Sequence, residues 1–238
     1  MEFSASTPAP PAPYVEQRPV ASDITFVRQV FAWMLGGLVV TGVVSAVLTN
    51  TLSHEFLTST GMPLFIVALV LELVVVFGVS FGINRISASF ATSAFMFYAA
   101  LNGLTFAFIF AFYTTESVFT AFFVTAGMFG AMALIGWTTK VDLTKLGVIL
   151  FMALIGLLLA TVVNFFFASS TLYWITTYAL VVVFAGLTAY DMQKIKRFNT
   201  AGMDEEGRQK ASIFGALALY LDFINLFLLF LRIFGSAG

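Results

Sequence analysis

Seven uninterrupted apolar stretches, at 24–50, 63–83, 88–113, 117–138, 143–168, 171–193 and 211–234, decide what this chain can become. Each is near or above the ~20 residues an α-helix needs to cross the hydrocarbon core of a bilayer. Their apolar residues run continuously instead of alternating, which excludes a transmembrane β-barrel. Charged residues make up 10% of the 238 and hydrophobic residues 60%, so the charges are too few to cover a water-facing surface. The chain therefore reads as an all-α integral membrane protein, a transmembrane helix bundle over 23–238. Its medium is the lipid bilayer, and no nucleic-acid partner is expected.

Residues 1–22 hold five of the six prolines, at Pro8, Pro10, Pro11, Pro13 and Pro19, and read as a disordered tail with nothing to bury. The tail lacks the basic start of a signal peptide. No proline follows Pro63, so nothing in the later stretches forces a helix break. Small residues recur four apart in Gly78-x-x-x-Gly82 and in Gly103-x-x-x-Ala107-x-x-x-Ala111, spacings that let helix backbones approach closely.

Lysine and arginine set the orientation. Arg18, Arg28, Arg85, Lys140, Lys145, Lys194, Lys196, Arg197, Arg208 and Lys210 all fall at one end of a seven-crossing bundle. The opposite connections, 51–62, 114–116 and 168–171, contain no basic residue, and Arg232 alone breaks the pattern. The N-terminus is therefore expected in the cytoplasm and the C-terminus outside.

Several activities fail on composition. With no cysteine there is no thiolate metal site or thiol nucleophile, and the single histidine, His54, sits in the 51–62 connection. An intramembrane serine protease would need a histidine within the membrane. A microbial-type rhodopsin would need a lysine in the last helix, and 211–234 has none. The chain reads as neither an enzyme nor a holder of a resident cofactor.

What remains is a small set of polar residues inside apolar stretches: Glu72, Asp191 and Asp222, with Asn102, Asn164 and Asn225. A carboxylate at the bilayer centre costs ~2.5–3.5 kcal/mol on insertion scales, so each one calls for a reason. The asparagines read as glue that hydrogen-bonds one helix to another. Asp222 lies midway along the last stretch, with Asn225 three residues on and sharing its face. Its natural partner is Asp191, on the preceding and antiparallel stretch. Asp191 is close to Lys194 and Asp222 far from Lys210, a depth difference of about 13 Å at helical rise. The two meet only if helix 6 continues past Lys194 towards a C-cap at Gly202 and a cavity reaches Asp222. Two adjoining carboxyls would share a proton and titrate as one coupled pair. Such a pair can also attract a hard cation such as Ca²⁺, weakly, because calcium prefers six to eight oxygens.

Around these aspartates the sequence becomes recognisable. Gly186-Leu-Thr-Ala-Tyr-Asp191-Met-Gln-Lys-Ile-Lys, followed by Gly215-Ala-Leu-Ala-Leu-Tyr-Leu-Asp222-Phe-Ile-Asn-Leu-Phe, resembles the closing signature of the Bax inhibitor family of membrane proteins, in its bacterial form. The resemblance covers about residues 24–236. It implies seven transmembrane helices, six of them arranged around helix 7, in the bacterial inner membrane. It further implies a pH-sensitive calcium leak in which Asp191 and Asp222 form the proton sensor and ion pathway. Arg85 matches the family's latch on one aspartate, and Glu72 matches an acidic residue of the same helix. Calcium ions and protons are then the partners. The alternative is a regulatory role, since some relatives bind and restrain a membrane-bound AAA protease.

Overall fold

In the computed structural model, which describes residues 24–82, 86–198, 200 and 202–236, the chain is a helical bundle. The helices are α1 Ile24–Thr51, α2 Met62–Gly82, α3 Ala88–Phe110, α4 Thr115–Thr138, α5 Thr144–Phe167, α6 Ser170–Lys196 and α7 Glu205–Phe234. A short π-helix, Phe56–Thr60, lies in the stretch expected to be a plain connection. Among the described residues, α1 and α3 to α7 are long and apolar enough to cross a membrane, and α2 contributes a shorter apolar run, Met62–Gly78. Pro63 is the second residue of α2, where a missing N–H costs no helical bond. The tail 1–22 lies outside the described residues.

Capping side chains start these helices. Ser87, Thr114 and Ser169 accept the N–H of Phe90, Ser117 and Leu172, satisfying donors that the first turn leaves orphaned. Asp204 does the same for Gly207, with Glu205 and Glu206 in the first turn, where acidic residues favour the positive end of the helix dipole. This cap corrects the expectation that the last helix starts at 211. The helix begins six residues earlier, inside what looked like a polar link. At the far end of α5, Ala168 adopts the left-handed conformation at φ 48°. Asn164 Oδ1 holds the turn by accepting from Ser169 N at 3.0 Å.

The chain alternates direction, so one end of the bundle gathers the start of α1 and the α2–α3, α4–α5 and α6–α7 connections. Contacts there are explicit. Phe26 stacks on Phe198 at 5.3 Å between centroids, Arg197 pairs with Asp142 at 2.9 Å, and Lys210 Nζ donates to Ile86 O at 3.1 Å. The opposite end is closed by Ser236, whose carbonyl accepts from Thr114 N at 3.2 Å and whose N–H donates to Ser117 Oγ at 2.9 Å.

α7 packs on α1, α3, α4 and α6, while α2 leans on α3 and α5 on α6. The arrangement expected from the resemblance, six helices around helix 7, is thus four around it and two outside. The outer helix α5 turns Val148, Phe151, Leu159 and Phe165 outward. In water this would be an aggregation surface, and in lipid it is simply solvated.

The two small-residue rows behave differently. A Cβ on Gly103 would fall 2.7 Å from Val44 Cβ and 2.8 Å from Thr41 O, so this glycine lets α3 pack directly on the α1 backbone. A Cβ on Gly78 would meet nothing within 4 Å. Among the described residues the Gly78–Gly82 row thus makes no close helix contact of the expected kind, a Cβ on Gly82 meeting only Ile86 Cγ2 at 3.9 Å.

Candidate functional site

Asp222 is 4% exposed, in the middle of α7, on the side that faces α6. Its Oδ2 has no hydrogen-bond partner among the described residues. Thr188 of α6 faces it and donates its own hydroxyl to Phe184 O at 2.8 Å. Asp191, three residues on from Thr188 and half-buried, is within electrostatic range of Asp222. The structure therefore brings the two aspartates within electrostatic range at the α6–α7 interface, but not by the route expected.

That route required α6 to run on towards Gly202. α6 ends at Lys196 with Arg197 as its C-cap, and Gly202 sits in the connection at φ 80°. The left-handed conformation is the one glycine tolerates, so Gly202 serves a turn and not the helix end. A cavity of about 370 Å³ between α1, α6 and α7 covers part of the depth difference. Asp191, Lys194 and Lys210 line it, with Phe26 and Phe198 on the α1 side. Its lining on α7 runs from Gly207 to Ala218, about 16 Å at helical rise. Ala218 is one turn short of Asp222, so the cavity lining comes to the turn below that carboxyl without including it.

The cations at this mouth are lysines. Lys194, one turn on from Asp191, acts on it electrostatically, and Lys210 is held by Glu206 at 3.3 Å. Neither lysine was singled out as a site residue from the sequence, where both served only to fix orientation. Arg85, the expected latch, lies outside the described residues. Asn225 turns back on its own helix, donating to Leu221 O at 2.7 Å. Asn102 likewise donates to Tyr98 O at 3.1 Å, and Asn164 serves the α5 cap. The expectation that the asparagines bond helix to helix is not met among the described bonds, because each side chain finds a carbonyl or N–H nearby first.

Glu72 stands apart from the aspartates. It accepts from Thr105 Oγ1, joining α2 to α3. Among the described residues it is Thr105, a residue unremarkable in the sequence, that holds the carboxyl. The described residues hold no group of three or more His, Cys, Asp or Glu side chains able to bind a metal ion. Asp191 and Asp222 by themselves fall far short of the oxygens a tight calcium site uses.

A brace outside the cavity fixes the end of α6. Gln193 donates to Val141 O at 2.8 Å and accepts from Leu143 N at 2.9 Å, clamping the α4–α5 connection to α6. Gln193 itself is buried, which makes the clamp worth more than an exposed pair. Arg197 adds its pair with Asp142 at the surface. Asp142 is held below the ordinary carboxylate range, first by the Thr144 hydroxyl and backbone N–H and then by Arg197.

Comparison with known proteins agrees with this architecture. Residues 24–238 match the family described as Inhibitor of apoptosis-promoting Bax1. The chain is 47% identical over 221 residues to the inner membrane protein YbhL of Escherichia coli, a match covering 92% of this chain and 94% of YbhL. It is 39% identical to a protein of Deinococcus radiodurans, over 93% and 94% of the two chains. A membrane protein of Streptococcus pyogenes is 43% identical over 168 residues, covering 71% of this chain and 72% of its own length. With its closing aspartate signature on α6 and α7, the chain belongs to the Bax inhibitor family of membrane proteins.

Proposed function

We propose that this protein is a pH-sensitive cation leak, permeable to calcium, whose pathway passes Asp191 and Asp222. The observation that supports it most is the placement of Asp222. A carboxyl with a free oxygen is buried at mid-membrane, one turn beyond the deepest α7 residue of a cavity whose wall carries Asp191. An intramembrane carboxyl without a local cation is retained for ion or proton handling far more readily than for stability. Lys194 and Lys210 at the mouth would oppose cation entry, which supports reading this arrangement as closed to ions. Two carboxyls and their neighbours would hold Ca²⁺ weakly, which suits an ion that has to leave again. Arg85 is proposed to latch Asp191 when the pathway is closed. α2 is taken as the seventh crossing, with the basic end in the cytoplasm and the C-terminus outside.

The test is calcium flux in liposomes holding the purified protein, measured across pH. Asp191→Asn and Asp222→Asn should each flatten the pH dependence to a similar degree, and the double variant should add little, because a shared proton makes the pair one unit. Independent, additive effects would separate the two sites. Absence of flux from the unaltered protein would reject the leak and favour regulation of a membrane-bound AAA protease.

A further inference from the structure

α1 and α4 both pack against α7 but scarcely against each other, and the gap between them is a groove of about 640 Å³. Such a volume falls within the ~300–1,000 Å³ usual for small-ligand sites. Val27, Phe31 and Leu38 form one wall, and α4 from Phe122 to Trp137 forms the other. Ala126, Gly130 and Ala133 hollow that second wall, and a Cβ on Gly130 would meet nothing within 4 Å. Met192 and Phe223, the residues that follow the two aspartates, make the floor. From Val27 to Leu38 the groove is about 16 Å long at helical rise, close to half of a ~30 Å hydrocarbon core.

One end of the groove is basic. Trp137 marks it, and Lys196 Nζ donates to the Trp137 carbonyl while lying 5.1 Å from the centre of its ring. An ammonium has three donors, so two remain for another acceptor. Arg28 follows the wall residue Val27 and is exposed, and exposed Lys140 follows Trp137 by three residues. Tryptophan beside lysine and arginine is the pattern of the headgroup level of a bilayer.

We propose that this groove binds one acyl chain of an anionic phospholipid, whose headgroup phosphate is held at the Lys196 end. The length is that of one leaflet, the lining residues are apolar, and Lys196, at the ring of the lining residue Trp137, brings a cation to the mouth. A second copy of the chain in the same orientation fits less well, because it would bring its own basic end against Arg28, Lys140 and Lys196. The site shares no lining residue with the cavity that holds Asp191.

Bromolipid quenching of Trp137 tests the proposal. The chain has three tryptophans, so Trp33→Phe with Trp174→Phe leaves Trp137 as the reporter in the otherwise full-length protein. This protein is reconstituted in phosphatidylcholine vesicles carrying small fractions of brominated phosphatidylglycerol or brominated phosphatidylcholine. Phosphatidylglycerol should quench at a several-fold lower mole fraction. Gly130→Leu should remove the excess quenching by filling the groove, with thermal unfolding confirming an intact fold. Lys196→Gln should abolish the preference for phosphatidylglycerol while chain-dependent quenching persists. Equal quenching by both lipids in the reporter protein, following bulk composition, overturns the proposal. So does a phosphatidylglycerol preference unchanged by Gly130→Leu, which places the lipid elsewhere. Insensitivity to both lipids, with Trp137 shielded as the protein-to-lipid ratio rises, overturns it in favour of a second copy.

Discussion

The phenol oxygen of Tyr220 lies 2.6 Å from Thr41 Oγ1, and this bond ties α7 to α1 inside the bundle. Thr41 also lies 2.8 Å from Ala99 O of α3 and 3.0 Å from Gly37 O of its own helix. The single threonine proton goes to a carbonyl, so Tyr220 is the donor in the bond to Thr41. Two residues on, Asp222 projects to the other side of α7, towards α6. α7 thus carries a satisfied polar contact on one face and, on the other, a carboxyl oxygen with no hydrogen-bond partner among the described residues.

Removing only the Tyr220 hydroxyl, by Tyr220→Phe, should lower stability by ~0.5–1.5 kcal/mol, the net worth of a typical hydrogen bond. The ring contacts with Phe95 and Tyr98, at 5.6 and 5.9 Å between centroids, would survive. Thermal unfolding in detergent followed by circular dichroism measures the change. A loss above about 3 kcal/mol would show that the tyrosine does more than bond to Thr41.

The two glycine rows give opposite expectations. Gly103→Leu should destabilise the bundle severely, by several kcal/mol, since its side chain has to displace the α1 backbone at Thr41. Gly78→Ala should be neutral or slightly stabilising, because it meets open space and replaces a helical glycine. Unfolding of both variants in the same detergent decides. Equal destabilisation would mean that α2 packs against something at Gly78.

Orientation is accessible because the chain has no cysteine of its own. Single cysteines at Ser59 and Ser170, both exposed at the end opposite the basic connections, should react with a membrane-impermeant maleimide applied outside cells. A cysteine at exposed Met203 should react only after the membrane is opened. Labelling of Ser59 and Met203 from one side would reject the arrangement drawn from the basic residues.

Asp142 offers a titration with a defined sign. Its carboxyl is held low mainly by Thr144, so Thr144→Val should raise its titration midpoint more than Arg197→Ala does, read by carbon-13 NMR of the side-chain carboxyl. The contacts favour the ionised form. Whatever stability they add is therefore present above the ordinary aspartate range and is lost as pH falls through the lowered value. The carboxyl is exposed, so the effect on unfolding should be small. A larger shift from Arg197→Ala would make the ion pair the dominant cause.

Length and apolar continuity were enough to read an all-helical membrane bundle and the rough extent of its long helices, because a bilayer leaves a chain no alternative to satisfied helical backbone, but not the short helix Phe56–Thr60. The family was legible too, since Asp191 and Asp222 sit in short, distinctive surroundings on consecutive helices. Tertiary structure decided everything that depends on which faces meet. Gly103 and Gly78 carry similar local patterns, yet only Gly103 lies under another backbone. Asp204 looked like part of a polar link until its side chain capped α7, which lengthened the helix and brought Gly207, Lys210 and Ala218 into one cavity wall with Asp191. Glu72 found Thr105 on a neighbouring helix, a pairing between residues 33 apart that no local spacing encodes. Helix formation in lipid is a local matter of hydrophobicity and hydrogen bonding. The choice of partner for each buried polar group is a property of the packed bundle, and the candidate site is made of those choices.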